Sequence, residues 1–296
     1  MRLLTFSDKR GRRIGAMDQT GQFVADLSVI APSLPMDMLG FIEAGEAGLG
    51  IAREALARGH GTLPLSTVTV HSPVPRPRRN ILCVGINYRA HAKEAYGRGV
   101  DADARNEMLP EFPIVFTKSP GSVIGPGDPI PVHLDPTNSA DYEGELAVVI
   151  GRSGRGIKTA EAWDFVYGYT IVNDVTARTL QTRHKQWFLG KSVDGFCPMG
   201  PCLVTKDEIA DVRRLRLETR VNGELRQQAT VSQLIFDIPT LIETLSRSMT
   251  LETGDLIATG TCGGVGISFN PPRFMRAGDV VAVTINPIGT LENPVE

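Results

Sequence analysis

Cysteine is scarce in this chain: four in 296 residues (Cys83, Cys197, Cys202 and Cys262), with no CxxC pair and no repeated spacing. That argues against a zinc site and against a disulfide framework, and leaves the four as reduced, packed side chains. No apolar run approaches the roughly 20 residues needed to span a bilayer. Met1 to Phe6 read as a strand, without the basic region, long apolar core and small-residue cleavage site of a secretory leader, so the cytoplasm is the expected location. Excess charge is missing too. With 31 Lys and Arg against 33 Asp and Glu, the net charge of −2 offers no electrostatic footprint for nucleic acid or an anionic membrane. The basic cluster Arg76, Arg78 and Arg79 is short and broken by prolines, as in a solvated linker.

What is present is a 42% hydrophobic content, enough to fill a sizeable core in one large domain with a smaller appendage. Three prolines between His71 and Arg79 enforce extended backbone, and the expected boundary falls there, giving a unit of residues 1–72 and a larger one of 73–296. In the first unit, strand signals at Leu3–Phe6, Arg13–Met17 and Phe23–Leu27 alternate with Asp/Gly turns, as in a β-meander. A helix is predicted over Met38–Ala57, capped by Gly59. His60 and His71 read as surface residues.

The chemistry concentrates in the second unit. Asp141–Ile150 reads as one strand with an acidic first half and an apolar second half. Alternation puts Glu143 and Glu145 on one face with Asp141 a step further out. Such carboxylates repel unless a cation or shared protons neutralise them, and the attached apolar run draws them inward. A divalent metal on oxygen ligands is the natural solution, a solvated strand end the alternative. A second strand, Tyr167–Asn173, ends in Asp174, a third oxygen ligand that leaves room for water and substrate on the same ion. Beyond it, a helical turn brings Arg178 and Gln181 to the Asp174 side.

Upstream, Asn80–Gly85 reads as a buried strand leading into a helix start at Asn87–Ala95, where His91 and Glu94 stand at i and i+3. A carboxylate against an imidazole fixes its tautomer and raises its basicity, as a general base requires. Lys191 follows the aromatic and apolar run from Trp187 to Gly190, so it is desolvated and needs an anion. Lys118, at a strand end before a Pro-Gly turn, is a candidate substrate-anion contact. The stretch Tyr96–Pro113 lacks a period and reads as a lid. Thr159–Val166 and Pro239–Ser246 read as helices, and Asn222-Gly223 as a hairpin turn. His133 sits among prolines and His184 points to water. The glycine run Thr259–Gly266 lacks the lysine of a phosphate loop; its amides can approach a carboxylate, with Thr261 adding a hydroxyl, or form an ordinary bulged turn.

Together, Gly85-Ile86-Asn87-Tyr88 with His91 and Glu94, Asp141–Leu146, Asn173-Asp174 with Arg178 and Gln181, Leu189–Ser192, and Thr259–Thr261 with Gly264–Gly266 resemble the fumarylacetoacetate hydrolase family from about Asn80 to the C-terminus. The resemblance implies an α+β fold: a β-rich mixed sandwich or roll of that family's C-terminal type, with a small N-terminal α+β domain, assembled as a homodimer. It implies Mg2+ or Mn2+, with Ca2+ an option, on Glu143, Glu145 and Asp174. It makes His91, Glu94 and Lys191 catalytic, and assigns substrate contacts to Tyr88, Lys118, Arg178, Gln181 and Thr261. Two departures stand out: Cys262 replaces a proline common in the glycine loop, and nothing acidic precedes His91 in its strand, so a three-carboxylate site is expected. The leading expectation is metal-dependent hydrolytic C–C cleavage of a 2,4-dioxo acid. Tautomerisation or decarboxylation of oxaloacetate, or isomerisation of a muconate-type acid, is the alternative on the same site. A non-catalytic metabolite-binding protein is opposed by the joint presence of His91, Glu94 and Lys191.

Overall fold

The chain folds around one twelve-stranded mixed sheet, seen in a computed structural model that describes residues 1–59, 61–97 and 109–296. It opens with the meander β1 (Arg2–Asp8), β2 (Gly11–Met17) and β3 (Phe23–Asp26), then helices α1 (Leu27–Ile30), α2 (Met38–Glu43) and α3 (Gly45–Ala57), then β4 (Thr62–Pro64) and β5 (Thr69–His71). The chain then runs β6 (Ile81–Gly85), α4 (Arg89–Gly97), β7 (Ile114–Lys118), β8 (Val123–Ile124), β9 (Ala140–Asp141), β10 (Gly144–Ile150), β11 (Val166–Asn173) and β12 (Thr176–Ala177). It continues with α5 (Arg178–Arg183), α6 (Phe188–Lys191), β13 (Cys197–Thr205), β14 (Arg216–Val221), β15 (Glu224–Thr230), α7 (Ile238–Ser248), β16 (Leu256–Ala258), β17 (Val280–Ile285) and β18 (Gly289–Pro294).

The main sheet has the order β4-β3-β2-β1-β13-β11-β10-β16-β6-β7, with β5 on β1 and β8 on β13. Antiparallel pairing of β1 with β13 joins the meander to the later strands, so one sheet holds strands from both sides of the boundary expected at residues 72 and 73. Strand alternation sorts the core. Leu146, Val148 and Ile150 enter the cluster shared with α7 and the separate four-stranded sheet β15-β14-β17-β18, while Ala147 and Val149 enter the cluster packed by α2 and α3. Covered on both faces, β10 is apolar along its whole second half. Among the described residues, no helix is long and apolar enough to cross a membrane.

Several local expectations change. The helix expected over Met38–Ala57 breaks after Glu43, where Gly45 takes φ +55°. Thr159–Phe165 winds as a 3-10 helix. The strand expected from Asp141 to Ile150 splits into β9 and β10, because β9 pairs with β12 and β10 with β11. Asn222 and Gly223 both adopt positive φ, as the hairpin signal requires. His71 is half-buried rather than superficial, with its Nε2 2.7 Å from Ser7 Oγ, whereas His184 is exposed as expected. His60 and residues 98–108 of the expected lid lie outside the described residues.

Candidate active site

Three carboxylates are assembled by one strand pairing. In the antiparallel register of β10 and β11, Gly144 faces Asn173 and Glu145 faces Val172, so Glu143 and Asp174 emerge side by side from the ends of the two strands. The Asp174 amide donates to the Glu143 carbonyl at 2.8 Å, and the Glu143 amide donates to Asn173 Oδ1 at 2.9 Å. One oxygen each from Glu143, Glu145 and Asp174 can be chosen so that all lie within 4.8 Å of one another, and all three residues are buried.

The counter-charges come from outside these strands. Lys191, at the end of α6, places Nζ 2.8 Å from Glu143 Oε2 and 2.6 Å from Asp174 Oδ2. Arg178, opening α5, sets Nη1 2.6 Å from Glu143 Oε1 and Nε 2.9 Å from Asp141 Oδ2. Lys118, at the end of β7, lies 2.7 Å from Asp174 Oδ1 and donates to the carbonyls of Val175 and Lys191. Burial raises the Glu143 carboxyl, but Lys191, Arg178 and His91 overcome it and hold the group down at about 2. Glu145 has no such partner among the described residues, only the Gly260 amide at 2.8 Å. Burial, and then the charges of Asp174 and Glu143, push it well above the carboxylate range. Burial also raises Asp141 in spite of Arg178, whereas Lys191 is held above its usual value by Asp174 and Glu143 against the effect of burial.

This donor set fits a hard divalent cation. Four buried carboxylates (Asp141, Glu143, Glu145, Asp174) face three buried cationic side chains (Lys118, Arg178, Lys191), and the one left uncompensated, Glu145, belongs to the converging trio. The Lys191 ammonium already sits as a positive charge between the other two members.

Two of the trio, Glu143 and Glu145, line a cavity whose wall also carries His91, Glu94, Arg178, Gln181, Lys191 and Thr261. Its apolar side is formed by Phe116 and Trp187, edge to face with centroids 5.2 Å apart, and by Val265 and Ile267. Phe116 presents its ring to Lys191, whose Nζ stands 4.8 Å from the centroid. His91 and Glu94 sit on α4, directly after β6, with Nδ1 3.7 Å from Glu94 Oε2, beyond hydrogen-bond length. His91 Nδ1 and Arg178 Nη2 are buried with no hydrogen-bond partner among the described residues.

The glycine loop after β16 meets carboxylates, as expected, but they are the protein's own. Gly264 N donates to both oxygens of Glu94 at 2.9 and 3.1 Å, Gly260 N to Glu145, and the amides of Gly266 and Ile267 to Asp141 at 2.6 and 2.9 Å. Buried carboxylates need donors, and this run supplies them. Gly264 has φ +100° and no room for a Cβ, which would stand 1.9 Å from the Arg226 carbonyl oxygen.

Of the remaining expected contacts, Gln181 accepts from Arg178 Nη1 at 3.3 Å. Thr261 donates to the Gly144 carbonyl at 3.0 Å and accepts from Gln227 at 2.8 Å. Tyr88 lies in the main core and Lys118 behind the carboxylates, and neither is among the described residues that line the cavity. Lys118, expected to meet substrate, is fully buried and directs its ammonium to Asp174 and two carbonyls. Gln227 escapes sequence reasoning, since it stands in an ordinary polar hairpin, whereas Asn173 is named with Asp174 but given no role.

Residues 80–296 match the family model described as fumarylacetoacetate (FAA) hydrolase C-terminal. The chain is 58% identical over 231 residues, 78% of its length and 74% of the relative's, to a protein of Bacillus subtilis (strain 168) named oxaloacetate tautomerase YisK. Among solved structures it resembles a fumarylacetoacetate hydrolase from psychrophilic Exiguobacterium antarcticum, with TM-score 0.85 and 40% identity over 100% of this chain and 99% of that one. It also resembles maleylpyruvate hydrolase from Sphingobium sp. SYK-6, in complex with manganese (II) ion and pyruvate, with TM-score 0.79 and 31% identity over 100% of this chain and 98% of that one.

Proposed function

This chain belongs to the fumarylacetoacetate hydrolase family and is an enzyme of that superfamily, and on that premise we propose that it interconverts the keto and enol forms of oxaloacetate or a closely similar 2-oxo acid. The observation that carries the reading is the buried trio Glu143, Glu145 and Asp174, two members of which, Glu143 and Glu145, line the same cavity as His91, Glu94, Arg178 and Lys191. The sequence expectation put hydrolytic C–C cleavage first. The relative at 58% identity favours tautomerisation instead, and the 31% likeness to a maleylpyruvate hydrolase keeps hydrolysis as the second reading.

Magnesium or manganese, with calcium a further option, would be held by Glu143, Glu145 and Asp174 and would supply a Lewis acid to the oxygens of the 2-oxo acid. His91 takes the proton from the carbon beside the carbonyl, and the same proton is returned on oxygen: one C–H bond breaks, one O–H bond forms, and no water is consumed. Glu94, held by the Gly264 amide 3.7 Å from the imidazole Nδ1, places a negative charge beside the ring that favours its protonated form once the proton is taken. Arg178 offers its unpartnered Nη2 to a substrate carboxylate, with Gln181 beside it, and Lys191 offsets the charge that develops on oxygen. Lys118 and Thr261 act one layer back by fixing Asp174 and the Gly144 backbone. The same reading carries a homodimer, for which light scattering of the purified chain is the check.

The test is an oxaloacetate assay with Mg2+ or Mn2+ that follows enol absorbance and product mass together. Accelerated loss of enol at unchanged mass is expected. Carbon dioxide release without accelerated tautomerisation, or pyruvate formed only from acylpyruvates, would replace this reading with decarboxylation or hydrolysis.

A further inference from the structure

Gly144 lies between the two carboxylates Glu143 and Glu145, at a place where, among the described residues, β10 lacks a paired strand on one side. β16 pairs with β10 only from Ala147 to Val149, so the Gly144 peptide groups must find partners elsewhere. They find them in a closed ring. Gly144 N donates to Gln227 Oε1 at 3.0 Å, and Gly144 O accepts from Thr261 Oγ1 at 3.0 Å. Gln227 Nε2 closes the circuit by donating to Thr261 Oγ1 at 2.8 Å and to the Cys262 carbonyl at 2.9 Å. Gln227 is 1% exposed, and its amide oxygen and both amide hydrogens are spent on this one place. It comes from β15, so this is where the four-stranded sheet grips the carboxylate strand. A Cβ on Gly144 would stand 2.3 Å from Thr219 Oγ1 and 2.9 Å from Val283 Cγ1, which shows how closely that sheet is seated. The next residue, Gln228, points the other way and donates to Glu218 at the surface at 3.1 Å.

We propose that Gln227 is a positioning residue for the metal site: by holding the Gly144 peptide through its own oxygen and through Thr261, it sets the angle at which Glu143 and Glu145 converge. This rests on the reading of Glu143, Glu145 and Asp174 as metal ligands. Partners that orient ligands typically govern affinity by about 10- to 100-fold, and Gln227 acts on the backbone between two ligands.

The experiment is Mn2+ binding to the full chain by titration calorimetry. Gln227→Met keeps length and volume but removes the amide, and it is expected to weaken Mn2+ by at least about 10-fold, while the control Gln228→Met leaves it unchanged. If Gln227→Met does not fold, Thr261→Val against Thr261→Ser reads the same ring, with weakened binding expected for Val and retained binding for Ser. An unchanged Mn2+ dissociation constant in Gln227→Met with a lowered melting temperature, or equal binding in Thr261→Val and Thr261→Ser, overturns the inference and leaves the metal reading intact. Wild-type protein that binds no Mn2+ overturns both.

Discussion

The ammonium of Lys191 lies 2.6 Å from Asp174 Oδ2, inside the carboxylate trio rather than beside it. Lysine and a divalent cation therefore serve overlapping partners. In Lys191→Met, Glu143 and Asp174 lose a buried counter-charge, which costs about 3–5 kcal/mol in metal-free protein. Mn2+ restores part of that loss by binding the folded state alone. Thermal shift with and without Mn2+ should show a larger rise in melting temperature for the variant than for wild type. Equal rises would mean that the metal and the lysine do not share these carboxylates.

His91 lines the same cavity but contributes no oxygen to the trio, so its loss separates proton transfer from metal binding. His91→Ala is expected to lower kcat by about 10²- to 10⁴-fold, the usual worth of a positioned base, while the Mn2+ dissociation constant changes little. A variant that keeps full tautomerase activity would remove His91 from the mechanism.

Gly264 is bound to Glu94 through an amide that only glycine can offer there. Gly264→Ala drives a methyl into the Arg226 carbonyl, whereas Gly278, at φ +94°, has nothing within 4 Å of an added Cβ. Gly278→Ala should cost about 1 kcal/mol, the backbone strain alone. Gly264→Ala should cost several times more and depress kcat, because Glu94 loses its anchor. Denaturant melts of the two variants side by side check this, and comparable losses would show that the close approach at Gly264 is relieved without consequence.

How far the sequence could be read follows from where each constraint originates. Glu143 and Glu145 were legible because they are two apart on a run whose apolar half must be buried, and Asp174 because it ends a second such run. Lys191 was legible because a lysine in aromatic surroundings needs an anion. The distant partners of Asp141 were not: beyond the adjoining Tyr142 amide, its hydrogen bonds come from Arg178, Gly266 and Ile267, and only the folded loop brings the last two within reach. Gln227 was invisible for the same reason, since its neighbours in sequence say nothing about which sheet it will be pressed against. The break at Asp141 arises because β9 exchanges the neighbour of β10 for β12, a choice made by tertiary pairing and not by alternation.

Away from the site, Arg13 is buried between Asp8 and Asp26, at 2.7 Å from each. Burial raises the Asp26 carboxyl, yet its bonds to Ser28 and Arg13 bring it below the usual range, and Asp8 is lowered chiefly by Arg13. Carboxylates with depressed folded-state values stabilise the fold above their unfolded value near 4 and lose that contribution as pH falls through the folded one. Arg13→Met strips Asp26 of its buried partner while leaving Arg10, so the cost at neutral pH is about 3 kcal/mol, the low end for a broken buried pair. With only the half-exposed Arg10 left as a counter-charge, burial favours the protonated Asp26 carboxyl more than in wild type: the variant is penalised as pH rises above about 4 and approaches wild type as pH falls below it. Urea melts at neutral pH and near pH 3.5 check this. A difference between the two proteins that stays constant across that interval would mean that Arg13 acts through packing on Phe6, whose ring its guanidinium carbon overlies at 4.4 Å, and not through charge.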